Sequence, residues 1–144
     1  GIKKNCNKNI YRKKNVKRFI FPKLRLEISN SISQFASSCI DVSDGFIADL
    51  EKIIIPSNQG AVINLDKVPR IDKSSLEDFT FGDDLELIFT ADKKYHKKIM
   101  NLSDNSGIKI SLLGQTKKNS GIKYLLNNDE VLFPRKKGWN HGKK

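Results

Sequence analysis

Two aspartates three residues apart bracket the segment Asp41-Val42-Ser43-Asp44-Gly45, and Asp49 follows further along. The segment joins a short run of strand character, Cys39-Ile40-Asp41-Val42, to apolar residues at helical spacing, so the acids stand at a strand-to-helix turn. A helix N-terminus there offers free backbone N–H groups and a partial positive charge. Mg²⁺ takes hard oxygen ligands, usually one or two protein carboxylates, and completes its octahedron with water and phosphate oxygens. Such a turn can hold magnesium and phosphate together. The same residues also fit a simpler role, in which Ser43 or Asp44 caps the helix and Gly45 eases the turn.

A second constellation, Phe81-Gly82-Asp83-Asp84-Leu85-Glu86-Leu87, gathers three acids around a glycine just before a strand. Acids crowded there can accept hydrogen bonds from a cationic or amine-bearing substrate, reach a metal, or form an ordinary solvated turn. A third, Gly138-Trp139-Asn140-His141, places the only tryptophan in a basic tail. A tryptophan near a terminus can plug the core or stack on an aromatic ligand. His96 lies among lysines on an expected exposed helix face, and His141 has no acid and nucleophile nearby in sequence, so no residue is assigned as a catalytic acid or base. No Gly-x-x-x-x-Gly-Lys-Ser/Thr phosphate loop occurs; Gly114-Gln115-Thr116-Lys117 fails that spacing.

The elements that must position these residues follow from hydrophobic periodicity. Leu26, Ile28, Ile32, Phe35, Ala36 and Cys39 predict a helix ending near Ser37 or Ser38. After the acidic turn, Phe46, Ile47, Leu50, Ile53 and Ile54 supply the apolar face of a second helix that ends near Pro56. Ala61 to Leu65 and Leu85 to Ala91 are strand candidates, with loop and a helical turn over Lys67 to Leu76. Asp92 can cap a helix through Tyr95, Ile99 and Leu102 that stops at Asp104 to Gly107. Three short strands follow, Ile108 to Leu113, Ile122 to Leu126 and Glu130 to Phe133, with Asn119-Ser120-Gly121 and Asn127-Asn128-Asp129 as turns. The pattern predicts an α+β, or mixed α/β, fold in which helices cover a largely antiparallel sheet.

Composition narrows the class. The 144 residues are 38% hydrophobic and 30% charged with four prolines, a globular balance that allows one compact core. No apolar run approaches the roughly 20 residues that cross a bilayer. Cys6 and Cys39 suggest neither a disulfide framework nor a zinc site, so a reducing cytoplasm is expected. The net charge of +11 is concentrated at the ends. Residues 1 to 23 carry nine Lys or Arg and no acid, and residues 135 to 144 carry five more, again without an acid. Thirteen basic and sixteen acidic residues remain between them, a net of −3. Membrane and nucleic-acid partners are therefore not expected, and the basic ends are read as solvated linker and tail. Gly1 in place of Met, with no apolar h-region behind it, leads us to expect a piece of a longer protein.

Taken in order, the motifs resemble the C-terminal domain of thiamine-monophosphate kinases, over roughly Pro22 to His141. That family has a Pro-x-x-Arg-like entry, here Pro22-Lys23-Leu24-Arg25, and then Ile-Asp-x-Ser-Asp-Gly-Leu-x-x-Asp-Leu. This chain has Ile40-Asp41-Val42-Ser43-Asp44-Gly45-Phe46-Ile47-Ala48-Asp49-Leu50. A Gly-Ala strand and Leu-Asp-x-x-Pro are matched by Gly60-Ala61 and Leu65-Asp66-Lys67-Val68-Pro69. Gly-Gly-Glu-Asp-Tyr-Glu-Leu-x-Phe-Thr corresponds to Phe81 through Thr90, and Gly-Trp-Asp-His to Gly138 through His141. The departures are Phe81 for the first glycine, Asp83 for Glu, Leu85 for Tyr and Asn140 for Asp.

The resemblance implies an ATP- and Mg²⁺-dependent transfer of phosphate to thiamine monophosphate, forming thiamine diphosphate. It implies that Asp41 and Asp44 hold magnesium, that Ser43 touches ATP, and that Asp83 and Trp139 contact thiamine monophosphate. The implied fold is the C-terminal domain shared with aminoimidazole ribonucleotide synthetase and selenophosphate synthetase. Residues 1–20 would be a basic connector from a missing N-terminal domain, and 21–144 the C-terminal domain. The family's N-terminal domain supplies further metal-binding aspartates, much of the ATP site and the homodimer interface, so this piece alone is expected to be inactive. Two other readings stay open: a diverged member of the superfamily with another ATP-dependent substrate, supported by the altered acidic loop, and a non-catalytic basic binding module for RNA or a protein, against which the charge map speaks.

Overall fold

The computed structural model describes residues 26–69, 76, 79–80 and 86–133. The expected connector over residues 1–20, the Pro22 to Arg25 entry, Asp83 and Trp139 lie outside the described residues.

Helix α1 (Leu26–Ser33) buries Ile28 and Ile32, one turn apart. It is shorter than its apolar spacing predicts. The chain turns at Gln34 and Phe35 and becomes strand β1 (Ala36–Asp41), in which side chains alternate between sheltered and exposed. The reason is a partner remote in sequence: β1 pairs antiparallel with β3 (Leu87–Ala91), and Cys39 stands opposite Phe89 and Asp41 opposite Leu87. A register shift between Ala36 and Ser38 bends the strand's start, and the Ser38 and Thr90 hydroxyls lie 2.6 Å apart across the pair.

Helix α2 (Phe46–Ile54) runs through the core. Five consecutive residues, Phe46 to Leu50, are buried, and a 3-10 turn over Ile55–Ser57 containing Pro56 ends it. Strand β2 (Gly60–Asn64) leads into a second 3-10 turn, Leu65–Lys67. Asp92 caps as expected, its carboxylate accepting the Lys94 N–H at 2.9 Å, although the turn it caps is a 3-10 segment that precedes α3 (His96–Ser106). Gly107, at φ 65°, ends α3.

Strands β4 (Gly114–Lys117), β5 (Gly121–Leu126) and β6 (Asp129–Val131) join β2 in a four-stranded sheet of order β4-β2-β5-β6. Among the described residues only β2 with β5 is parallel; the other pairs, including β1 with β3, run antiparallel. The expected α+β arrangement with a largely antiparallel sheet is what the chain adopts. The strand expected over Ile108 to Leu113 is displaced to Gly114–Lys117. Register explains the shift: Ile63 stands opposite Gly114, and the Asn64 N–H donates to the Leu113 carbonyl at 2.7 Å. Past Asn64 the partner turns away, which leaves residues 108 to 112 no strand to pair with. Asn127 and Asn128, at φ 52° and 70°, form the tight turn between β5 and β6 that their sequence predicts.

The core gathers Val42, Phe46, Ile47, Leu50 and Ile54 from the acidic turn and α2 against Ala61, Ile63, Leu65, Phe79, Ile88 and Tyr124. Burying each aliphatic side chain of this kind contributes about 1.5–3 kcal/mol. The Tyr124 hydroxyl donates to Glu51 at 3.2 Å, tying α2 to β5. Burial first, and the Glu51 charge second, push the Tyr124 phenol far above its ordinary range, so it stays a donor. Gly60 is buried where β2 passes between its neighbours, and a Cβ there would run into the carbonyl oxygens of Asn119 and Gly121. Gly60→Ala is expected to destabilise the protein by about 2–3 kcal/mol, read as a lowered urea midpoint with an unchanged slope. A midpoint equal to wild type would show that the β2–β5 pair yields at no cost.

A candidate phosphate and cation loop

The turn between β1 and α2 is built from the end of a paired strand. Asp41 ends β1 with its side chain exposed, and Val42 extends the ladder by one residue, its N–H donating to the Glu86 carbonyl at 2.8 Å. Val42 is buried in the core. This pairing sets the Asp41 to Gly45 loop beside the chain that ends the second acid-rich segment. The sheet thus joins two of the three constellations seen in the sequence, at positions 42 and 86, while Asp83 and Trp139 lie outside the described residues.

Gly45 then takes φ 115° and ψ 148°, a region essentially reserved for glycine, and α2 begins at the next residue. Gly45 itself is the N-cap, with no side-chain cap hydrogen bond among the described residues. Neither Ser43 nor Asp44 stands at the N-cap position.

Asp49 organises the loop from inside. Its carboxylate is fully buried, and Oδ2 accepts the backbone N–H groups of Ser43 at 2.8 Å and Asp44 at 2.9 Å. Oδ1 accepts the Lys52 ammonium at 2.7 Å. Lys52 also donates to Asp44 Oδ2 at 2.5 Å, so one ammonium bridges two carboxylates. Hydrogen bonds to Asp44 and then to Asp49 hold the Lys52 pKa above its usual value, and it carries its charge throughout the neutral range. Two backbone N–H groups of the loop, just ahead of the helix N-terminus, are thus turned inward onto Asp49.

Sequence reasoning missed Lys52 altogether and gave Asp49 no role of its own. A signal was present for both: Asp49 sits between Ala48 and Leu50 in the most apolar part of the helix, where an acid is retained only with partners, and a lysine stands three residues on. Cys39, two residues before Asp41 on the same strand face, has its thiol pKa pushed up by partial burial and by the Asp41 charge, so it stays a neutral thiol.

Thiamine-monophosphate kinase of Buchnera aphidicola subsp. Acyrthosiphon pisum is 33% identical to this chain over 137 residues, covering 88% of this chain and 42% of that protein. The chain is homologous to the C-terminal part of thiamine-monophosphate kinases. It spans about two fifths of the length of the curated kinases it matches (42% for the Buchnera protein). The fold agrees: the thiamine-monophosphate kinase of Stenotrophomonas maltophilia superposes with a TM-score of 0.68 at 25% identity, over 80% of this chain and 39% of that one. AaThiL complexed with AMPPCP and TMP gives 0.68 at 22% identity, over 91% and 42%, and supports the fold alone. No family model matches the chain.

Proposed function

We propose that this chain is the C-terminal part of a kinase that transfers the γ-phosphoryl group of ATP to thiamine monophosphate, giving thiamine diphosphate and ADP. The loop from Asp41 to Asp49, rigidly held in a chain homologous to thiamine-monophosphate kinases, is the observation that carries this reading. In the reaction a phosphate oxygen of thiamine monophosphate attacks the γ-phosphorus. The bond to the β,γ-bridging oxygen breaks, and ADP leaves with the electron pair. The attacking phosphate is already ionised near neutral pH, its second pKa being about 6, so no side-chain base is required. Alignment and charge neutralisation carry the catalysis.

The donor set fits Mg²⁺. Asp44 and Asp49 share a single ammonium, and Asp41 adds a third carboxylate at the start of the loop, so the segment's excess of negative charge favours a divalent cation as the companion of a polyphosphate. Asp49 has both oxygens engaged within the loop, and Asp41 and Asp44 are assigned to the ion on the matching motif. A bound Mg²⁺ supplies charge neutralisation for the transferring phosphoryl group. Ser43, exposed between them, offers its hydroxyl to ATP. Asp83 and Trp139 are assigned to thiamine monophosphate on the matching motifs alone.

The remaining expectations belong to the same proposal: a cytoplasmic enzyme whose N-terminal domain completes the ATP site and forms a homodimer, joined through residues 1–20. No helix among the described residues is long and apolar enough to cross a membrane. Fused to such an N-terminal half, the chain is expected to convert thiamine monophosphate and ATP to thiamine diphosphate and ADP, and the chain alone to give less than about 1% of that rate, a loss typical of removing half of a catalytic arrangement. Liquid chromatography of the thiamine phosphates checks both. Robust magnesium-dependent turnover by the chain alone would sink the two-part reading.

A further inference from the structure

The Lys52 ammonium lies at a position no simple account of the loop requires. Asp49 already secures the turn through two backbone N–H groups, yet Lys52 reaches past it to Asp44, one of the two carboxylates assigned to the cation. Its side chain is 47% exposed and Asp44 is 26% exposed, whereas Asp49 is at 0%. The Lys52–Asp49 contact is therefore anchored in the interior and the Lys52–Asp44 contact faces solvent. A long lysine side chain rotates off one acceptor at small cost while keeping the other.

We propose that Lys52 is a resident counter-cation that holds Asp44 until a divalent cation displaces it, and that its retained bond to Asp49 keeps the loop in shape during the exchange. This rests on the reading of the loop as a Mg²⁺ site. The physical basis is charge: without a cation, Asp44 and the buried Asp49 repel each other across a short loop, and Lys52 cancels that repulsion by touching both. A metal on Asp44 does the same for one of them. The two cations thus compete for Asp44 but share the task of holding the loop, and the loop does not collapse or splay when the metal leaves. Lys52 is a positioning residue, acting through Asp44.

The test is thermal melting of the chain joined to its N-terminal half over a magnesium titration, at ionic strength matched with KCl, for wild type, Lys52→Met, Lys52→Arg and Asp44→Asn. Lys52→Met keeps the side-chain length and removes the charge. Without magnesium it is expected to melt about 5 °C below wild type, and magnesium should recover a larger part of that deficit than anything it adds to wild type. Lys52→Arg, which keeps the cation, should respond to magnesium as wild type does. If magnesium stabilises wild type and Lys52→Met by the same amount, and Asp44→Asn abolishes the effect, the metal reading stands and the counter-cation role is overturned. If magnesium changes neither, both are overturned. Should Lys52→Met fail to fold, the ¹⁵Nζ signal of Lys52 in wild type, assigned by its absence in Lys52→Arg, decides the matter. The proposal expects that signal to be visible without metal and to shift or exchange-broaden away as magnesium is added; a signal unmoved while magnesium binds overturns it.

Discussion

Asp44→Asn, in the chain joined to its N-terminal half, is expected to lower turnover by on the order of 100-fold or more while shifting the melting temperature by only a degree or two, because a lost transition-state charge contact is worth several kcal/mol and an exposed ion pair is worth about 1 at most. The asymmetry follows from the geometry. Asp44 is not the helix cap, so its replacement uncaps nothing. An asparagine carbonyl still accepts the Lys52 ammonium, and the backbone N–H of residue 44 still donates to Asp49. The change removes a negative charge at the place assigned to the cation and keeps both of these contacts. Steady-state kinetics over a magnesium titration, run beside thermal melts, separate the two effects. Near-normal turnover together with a clearly lowered melting temperature would overturn the assignment of Asp44 to the metal and make it a structural acid.

Asp49→Ala is expected to behave in the opposite way, with the damage in stability first. The substitution strips the acceptor from two part-buried backbone N–H groups, each worth up to about 1–3 kcal/mol when left unpaired. It also leaves space in the core and frees Lys52 from its inner anchor. The sum is about 3–5 kcal/mol, a large fraction of the 5–15 kcal/mol that holds a domain of this size together. A urea midpoint lowered accordingly, or a chain that no longer folds, is the outcome. Asp49→Asn keeps one oxygen for the N–H groups and loses the ionic part of the Lys52 contact, so it should fall between Asp49→Ala and wild type. Wild-type stability for Asp49→Ala, coupled with loss of turnover, would show that the buried acid faces substrate or metal after all.

The contrast between these two aspartates marks what was legible in the sequence. The strand, glycine turn and helix from Ile40 to Ile54 were readable because local chemistry and periodicity agree there, as was the Asn127-Asn128 turn, whose residues suit positive φ. The end of α1 was not, since Phe35, Ala36 and Cys39 continue a helical spacing while the chain has already left the helix to pair with Leu87–Ala91. The strand at Gly114–Lys117 was missed for the same kind of reason. Ile108 to Leu113 carries the apolar residues, but the pairing register of β2 selects the polar stretch after it. Within the loop, the sequence shows which residues can bind a cation but not which of them is turned inward. That is decided by the burial of α2, which takes Asp49 with it and leaves Asp41 outside.

The four-stranded sheet takes three of its strands from residues 114 to 131, and its central parallel pair joins Gly60–Asn64 to Gly121–Leu126. During synthesis, β2 therefore leaves the ribosome with no neighbour on either side, and α2 emerges with its apolar side uncovered. β2 cannot pair until some fifty further residues have been made, and contacts of such separation form late because the intervening loop entropy must be overcome first. The nascent chain passes through a stage in which the loop that carries the chemistry is complete while β2 is still unpaired, and in that interval the open strand is available to chaperones or to another chain. Stops or frameshifts that fall after residue 64 but before 114 would leave the whole Asp41 to Asp49 segment encoded, and β2 without either of its sheet neighbours.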